Sequence, residues 1–410
     1  MRVFIAGVDG YLGWTLAQHL ARQGHDVGGA DALLRRIWVD EMESLSAIPI
    51  ASMDERLASF GEHFGKPMRF FALDLRDHTA LCAALAEFKP DAVVHLAECP
   101  SAPYSMIDFH HADFVQHNNV SGTLSLLFAM RDHCPEAHLV KLGSMGEYGT
   151  PNLDIPEGFF EVEYRGRRDQ LPFPRQAGSW YHWSKVFDSH NVAFACKLWG
   201  LRATDVMQGV VYGTWLDTDA RLNTRLDFDE AFGTALNRFC CQAVIGKPLM
   251  PYGQGTQRRG FLSLADSMHC LSLAIEHPPA ASEYRVFNQL REVLSVNDLA
   301  QLVRVACESF ELAVEIKPLD NPRVEAEAHH YRPDSQHLRQ LGFRQSLPID
   351  EEIRNMIGDL LPHRDRIAAH ADQLAPTVRW RDSRSHSHSV RTHDERDAHE
   401  REEARERERT

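Results

Sequence analysis

The chain has 410 residues, 43% of them hydrophobic, with 58 acidic side chains against 44 Lys and Arg and a formal net charge of −14. That apolar content suffices for one large or two modest domains, and the acidic balance excludes a general nucleic-acid binder. No apolar run reaches the roughly 20 residues a membrane span needs. Met1-Arg2 leads directly into a strand-like run with no signal peptide. Cys82, Cys99, Cys134, Cys196, Cys240, Cys241, Cys270 and Cys307 show neither C-x-x-C nor metal-ligand spacing. Reduced core thiols in a cytoplasmic protein are therefore expected, with no metal centre.

Val3 to Ala6 is an apolar run typical of a buried parallel strand. Gly7-Val8-Asp9-Gly10-Tyr11-Leu12-Gly13 follows, and Trp14 to Gln23 has helical periodicity. Glycines at this spacing permit a tight turn, close approach to a pyrophosphate and close helix-strand packing, so the segment predicts a dinucleotide site. A second strand, Asp26 to Ala30, ends at Asp31, where a carboxylate meets adenosine ribose hydroxyls. That favours NAD, although Arg35 and Arg36 nearby could instead receive the 2′-phosphate of NADP. Residues 33–64 form a long, part-helical insertion without an assigned role.

Further strands are predicted at Met68 to Leu73, Ala92 to Ala97, His138 to Leu142 and Ala203 to Val211, alternating with helical stretches. Asp74-Leu75 ends one strand where an adenine pocket belongs, and Leu96-Ala97-Glu98 and Leu142 end others beside the cofactor. Tyr181-His182-Trp183-Ser184-Lys185 places a phenol and an ammonium one helical turn apart. The ammonium favours phenolate, which beside a nicotinamide takes the proton of a sugar hydroxyl while hydride leaves the same carbon. Beyond Gly213, Phe232 to Ile245, Leu264 to Glu276 and Val296 to Phe310 read as amphipathic helices. The expected fold is α/β: a Rossmann-type doubly wound parallel sheet over residues 1–213. A smaller, mainly C-terminal substrate lobe over residues 214–377 partly returns to it. Residues 378–410, with alternating Ser and His and then Glu and Arg, read as a polar, disordered or solvated tail. His386 and His388 there are weak candidates for a metal.

Together these motifs resemble the extended short-chain dehydrogenase/reductase superfamily of nucleotide-sugar epimerases and dehydratases. Particular strings are similar to its UDP-sulfoquinovose synthase family: Ser101-Ala102-Pro103-Tyr104-Ser105-Met106, Lys141-Leu142-Gly143-Ser144-Met145-Gly146-Glu147-Tyr148-Gly149, Gln208-Gly209-Val210-Val211-Tyr212-Gly213 and Asn321-Pro322-Arg323-Val324-Glu325. The likeness runs from Met1 to about Trp380. It implies a tightly held NAD that is reduced and reoxidised in each turnover. The sugar of a UDP-hexose would be oxidised at C4, dehydrated across C5 and C6, and attacked at C6 by sulfite. Tyr181 would be the base, Lys185 its partner, and Ser144 the hydroxyl (usually Thr) that bonds the substrate O4. Asn118 would be a relay or structural amide, while Gln208 and Val211 line the cofactor and sugar. Thr234, Arg259, Arg323 and Glu325 would take the nucleotide and its phosphates. Relatives pair through two helices, which implies a homodimer.

Three positions depart from the patterns. Dehydratases carry Asp-Glu after the hydroxyl residue, where this chain has Met145-Gly146, so His182 becomes the candidate acid or base, with Glu98 or Glu147 sharing the task. Cys99-Pro100 stands where the family has Gln-Arg, removing a cation beside the sugar and weakening the case for sulfite. Met207 replaces an Asn. A non-sulfonating 5,6-dehydratase or 4-epimerase is the alternative, and a catalytically silent NAD or sugar-nucleotide binder a remote one.

Overall fold

The computed structural model describes residues 1–326 and 328–381; the predicted tail lies almost wholly outside them, including both candidate metal-binding histidines. Strands β1 (Arg2–Ala6), β2 (Asp26–Asp31), β3 (Arg69–Ala72), β4 (Ala92–His95), β5 (His138–Ser144), β6 (Phe159–Tyr164), β7 (Arg167–Pro172), β8 (Arg202–Gln208), β9 (Val210–Tyr212), β10 (Arg258–Ser263), β11 (Tyr284–Gln289) and β12 (Glu292–Ser295) form three sheets. The main sheet has seven strands in the order β11-β8-β5-β4-β1-β2-β3, with every pairing parallel.

Both faces of that sheet are covered, which explains why its strands read as continuous apolar runs. Val3 and Ile5 pack with Trp14, Leu16, Leu20, Leu271 and Ile275. Phe4 and Ala6 point the other way, to Leu81, Leu85, Leu126, Met130 and Val192. The helices are α1 (Tyr11–Arg22), α2 (Leu34–Glu41), α3 (Met53–Phe64), α4 (His78–Phe88), α5 (Phe109–Gln116), α6 (Gly122–His133), α7 (Trp180–Trp199), α8 (Ala235–Val244), α9 (Leu264–Glu276) and α10 (Val296–Cys307), of which α1 and α9 cover one face of the sheet and α4, α6 and α7 the other.

The second lobe has its own core, in which Leu236, Phe239 and Val244 of α8 meet Leu299 and Val303 of α10 and Ile353, Met356 and Ile357 of helix Ile349–Leu360. Its three-stranded sheet runs β12-β10-β9. The predicted strand from Ala203 to Val211 is in fact two, because the chain changes sheets at Gly209. A Cβ there would lie 2.6 Å from the carbonyl oxygen of Gly260, so only glycine allows β8 to hand over to β9. The seventh main-sheet strand, β11, comes from far beyond Gly213 and was not foreseen. Nor was the exposed hairpin β6–β7, whose second strand, polar and wholly exposed, carries no apolar alternation.

The insertion after β2 folds as α2 and α3. Ser52 and Glu55 close a capping box at the start of α3, and Gly65 ends it at φ +69°. Among the described residues no helix is long and apolar enough to cross a membrane.

Candidate active site

One cavity of about 550 Å³ opens where strands β1, β2, β4, β5 and β8 end and the second lobe begins. This is the carboxyl edge at which open parallel sheets bind ligands. Gly7, Gly10, Tyr11, Leu12, Gly13, Asp31, Arg35, Asp74, Leu75, Leu96, Ala97, Glu98, Asn118 and Leu142 line it. So do Ser144, Tyr181, His182, Lys185, Gln208, Val211, Thr234, Arg259, Arg323 and Glu325.

The glycine-rich turn leaves a cradle for a pyrophosphate. Gly7 has φ +88°, and a Cβ on it would lie 2.6 Å from the backbone of Leu96; one on Gly13 would collide with the carbonyl of Gly7. No side chain caps the start of α1, so its first N–H groups are free to meet phosphate oxygens. Asp31 stands at the end of β2 and accepts hydrogen bonds from the amides of Asp9 (2.8 Å) and Leu33 (2.7 Å). Burial and the nearby Asp9 raise its pKa to about 6.

Two predicted cofactor residues require correction. Asp9 and Arg36 do not line the cavity; they pair with each other beneath the turn, Arg36 donating to both Asp9 carboxylate oxygens at 2.7 and 2.8 Å. Arg56 of the insertion, fully buried, adds a third bond to Asp9 at 2.7 Å. Arg35 does reach the cavity, but its guanidinium is held by Asp227 at 2.8 Å and stacks 3.9 Å from the centre of the Phe232 ring. Both arginines are thus neutralised by carboxylates, which removes the argument for a 2′-phosphate and leaves a site suited to NAD.

Tyr181 and Lys185 project from the first turns of α7, whose N-cap Ser179 accepts from the His182 amide at 3.2 Å and lies 2.9 Å from the imidazole Nδ1. The cap therefore fixes the His182 ring as well as the helix start. The Lys185 ammonium donates to the Leu142 carbonyl at 2.5 Å and pairs with Glu98 at 2.8 Å. Its Nζ lies 6.0 Å from the centre of the Tyr181 ring. Burial first, then the negative charges of Glu98 and Glu147, push the Tyr181 phenol well above its ordinary range. A bound pyridinium and a substrate hydroxyl are what would draw it down.

Ser144 ends β5 and caps the following turn, its Oγ accepting from the Gly146 amide at 3.0 Å. Gly146 has no side chain for a reason: a Cβ there would fall on the His182 ring. The imidazole fills the space a side chain at 146 would need. Burial, then Arg323, Arg259 and Lys185, lower its pKa to about 3, so at neutral pH it is an uncharged ring. Glu147, by contrast, lies behind Ser144 and off the cavity, bound to the Ser144 amide at 3.0 Å, to Ser189 at 2.9 Å and to Arg175. Burial would raise its pKa, but Lys141 and Arg175 hold it below the usual range. It is a fixed anion held off the cavity.

Cys99 is fully buried, its thiol pushed up to about 12 by burial, and only Pro100 of that pair faces the cavity. Neither supplies a cation. At the far end of the cavity Arg238, Arg259 and Arg323 gather around Tyr252 and Glu325. The buried Thr234 hydroxyl has no protein partner. Arg238, Tyr252 and Trp380 were not anticipated. Arg238 is hidden in an amphipathic helix pattern and Trp380 sits at the edge of a polar tail, so only tertiary contact reveals them.

Residues 3–289 match the NAD dependent epimerase/dehydratase family. The chain belongs to that family of NAD-dependent enzymes and carries its Rossmann-type fold. Within it, the chain is a UDP-sulfoquinovose synthase-like member. It is 46% identical over 383 residues to the chloroplastic UDP-sulfoquinovose synthase of Spinacia oleracea, covering 93% of this chain and 79% of that one. It is 44% identical over 384 residues to the UDP-sulfoquinovose synthase of Sulfolobus acidocaldarius, covering 93% and 98%. Among solved structures, UDP-glucose 4-epimerase from Bifidobacterium longum in complex with NAD+ and UDP superposes with a TM-score of 0.67 at 19% identity, over 90% of this chain and 99% of that one. At that identity the likeness speaks for the fold alone.

Proposed function

We propose that this enzyme converts UDP-glucose to UDP-sulfoquinovose, with sulfite as co-substrate, as a cytoplasmic homodimer. The observation that carries the reading is the meeting of Ser144, Tyr181, His182 and Lys185 with a three-arginine cluster in a single cavity that also contains the glycine-rich turn. The arginines suit a diphosphate, each offering paired charge-assisted hydrogen bonds. Thr234 offers a free hydroxyl beside them.

NAD, when bound, supplies reversible hydride acceptance at the sugar C4. Tyr181 takes the O4 proton, helped by the Lys185 charge, while Ser144 holds that oxygen. With C4 a ketone, the C5 proton becomes acidic, and His182, lining the same cavity, is the candidate to receive it. Water leaves from C6, sulfite adds there, and Tyr181 returns the proton to O4 as hydride comes back. Arg36 and Arg35 are engaged by Asp9 and Asp227 and so do not await a 2′-phosphate. Purified enzyme given UDP-glucose with and without sulfite, with products weighed by mass spectrometry, tests the reading. A sulfonate mass gain that requires sulfite is expected. Pro100 motivates a second reading, a non-sulfonating 5,6-dehydratase or 4-epimerase, and an unsaturated or isomeric product unchanged by sulfite would establish it instead.

The homodimer is supported by an apolar face on α7, where Trp180, Phe187, Phe194 and Leu198 are all exposed, Phe194 at 63%, beside Phe109 of α5 and Leu124 of α6. Large exposed apolar side chains on adjoining helices mark an association surface.

A further inference from the structure

The last described residues of the chain are stitched across the cavity. Glu230, on the loop that leads to Thr234, accepts from the Thr377 amide at 2.5 Å, from the Thr377 hydroxyl and from the Val378 amide at 3.1 Å. Val378 is buried in an apolar cluster with Trp38, Tyr104, Tyr181 and Phe232. Two residues on, the Trp380 amide donates to the Pro322 carbonyl at 3.0 Å. The segment thereby joins the loop before α8 to the loop carrying Arg323, and its indole lines the cavity between them. Arg323 is held by aromatic faces: its guanidinium lies 5.5 Å from the centre of the Trp380 ring and 6.0 Å from that of Tyr252. Among the described residues it has no ion pair within 4 Å, whereas its neighbour Arg259 is paired with Glu325. A guanidinium held by π faces keeps its donors free for an incoming anion.

We propose that Trp380 is a substrate-positioning residue: it aims Arg323 at the diphosphate and walls the nucleotide end of the cavity. This rests on the UDP-hexose reading above. Residues Thr377–Trp380 are then part of the substrate site, and they govern affinity for the sugar nucleotide without touching the cofactor turn on the opposite side.

The test uses the full chain and its Trp380→Ala and Trp380→Phe variants. UDP binding is measured by calorimetry, KM and kcat with UDP-glucose, and NAD content by absorbance of cofactor released on denaturation. Trp380→Ala is expected to weaken UDP binding and raise KM about tenfold, the scale of one desolvated cation–π contact. NAD content should match wild type and kcat should change less than KM. Trp380→Phe, which keeps an aromatic face, should regain most of the affinity. UDP affinity unchanged in Trp380→Ala overturns the proposal, and so does a loss of NAD content in parallel with UDP, because the tryptophan would then be structural. Failure of the wild type itself to bind UDP would instead overturn the substrate reading.

Discussion

Opposed charges surround the Tyr181 phenol. Lys141 favours the phenolate, while burial and Glu98, 2.8 Å from the Lys185 ammonium, oppose it. Replacing Glu98 by Gln removes a like charge, so the Tyr181 pKa should fall and the ascending limb of the kcat/KM profile should move to lower pH. An unmoved limb in a pH series would show that Glu98 has no influence on the phenol. Tyr181→Phe removes the proton carrier altogether and should cut turnover by about 10²- to 10⁴-fold with UDP still bound. Rate measurement with binding calorimetry decides between lost chemistry and lost affinity. The Tyr and Lys were legible in the sequence because a one-turn spacing puts them on one helix face. Glu98 was visible as a strand-end residue and a candidate acid or base; its grip on Lys185 required β4 and α7 to come together.

At the scale of elements, the insertion α2–α3 acquires a role that its sequence did not disclose. It brings Arg36 and Arg56 beneath the glycine-rich turn, where both hold Asp9, and Arg56 also reaches the carbonyl of Asn223 at 2.9 Å. Asp9 in turn donates its amide to Asp31, so the insertion braces the turn and the ribose carboxylate together. Arg56→Met should therefore cost about 3–5 kcal/mol, the usual penalty for removing one partner of a buried ion pair. Thermal melting should show the loss, and weakened NAD retention on gel filtration should accompany it. The hydrophobic period could not reveal this, since both arginines sit at positions that look solvated in one dimension. The helices α8, α9 and α10 were legible within a few residues because their apolar faces repeat at helical spacing. The switch from β8 to β9 was not, because a sheet change leaves the apolar run unbroken.

Across the whole molecule, burial couples stability to pH. His95, His138 and His182 each have a pKa lowered to about 3, burial being the largest cause. In the unfolded chain each takes up a proton below about 6.5, whereas the fold keeps them neutral, so stability should fall as pH drops from about 6.5 toward 3. Asp31 and Asp229, raised to about 6, act in the opposite direction between about 6 and 3.8. His19, lowered to about 4, acts with the histidines, and Glu292, raised to about 7, acts with the aspartates; the histidine shifts are together the larger. Melting temperatures at pH 7 and pH 4.5 should therefore differ, the acidic one being lower; a flat profile would contradict the balance. On the outer surface, Phe194→Glu should convert the proposed dimer to a monomer in light scattering, because a charge at the centre of an apolar face cannot be desolvated without a partner.

The sequence by itself determined the parallel sheet, the glycine-rich turn and the Tyr181–Lys185 pair, because each is set by local spacing: apolar runs, backbone freedom and one helical turn. Its resemblance to a known family extended that reading to Ser144 and the distal arginines. Only the tertiary structure decided that Asp9 and Arg36 brace the cofactor turn rather than line it. The fold likewise showed that Glu147 lies off the cavity, that His182 fills the space beside Gly146, and that Thr377–Trp380 return to the cavity. These depend on which distant residues share a burial site, and desolvation, which fixes partners and protonation, acts only once the chain has closed around them.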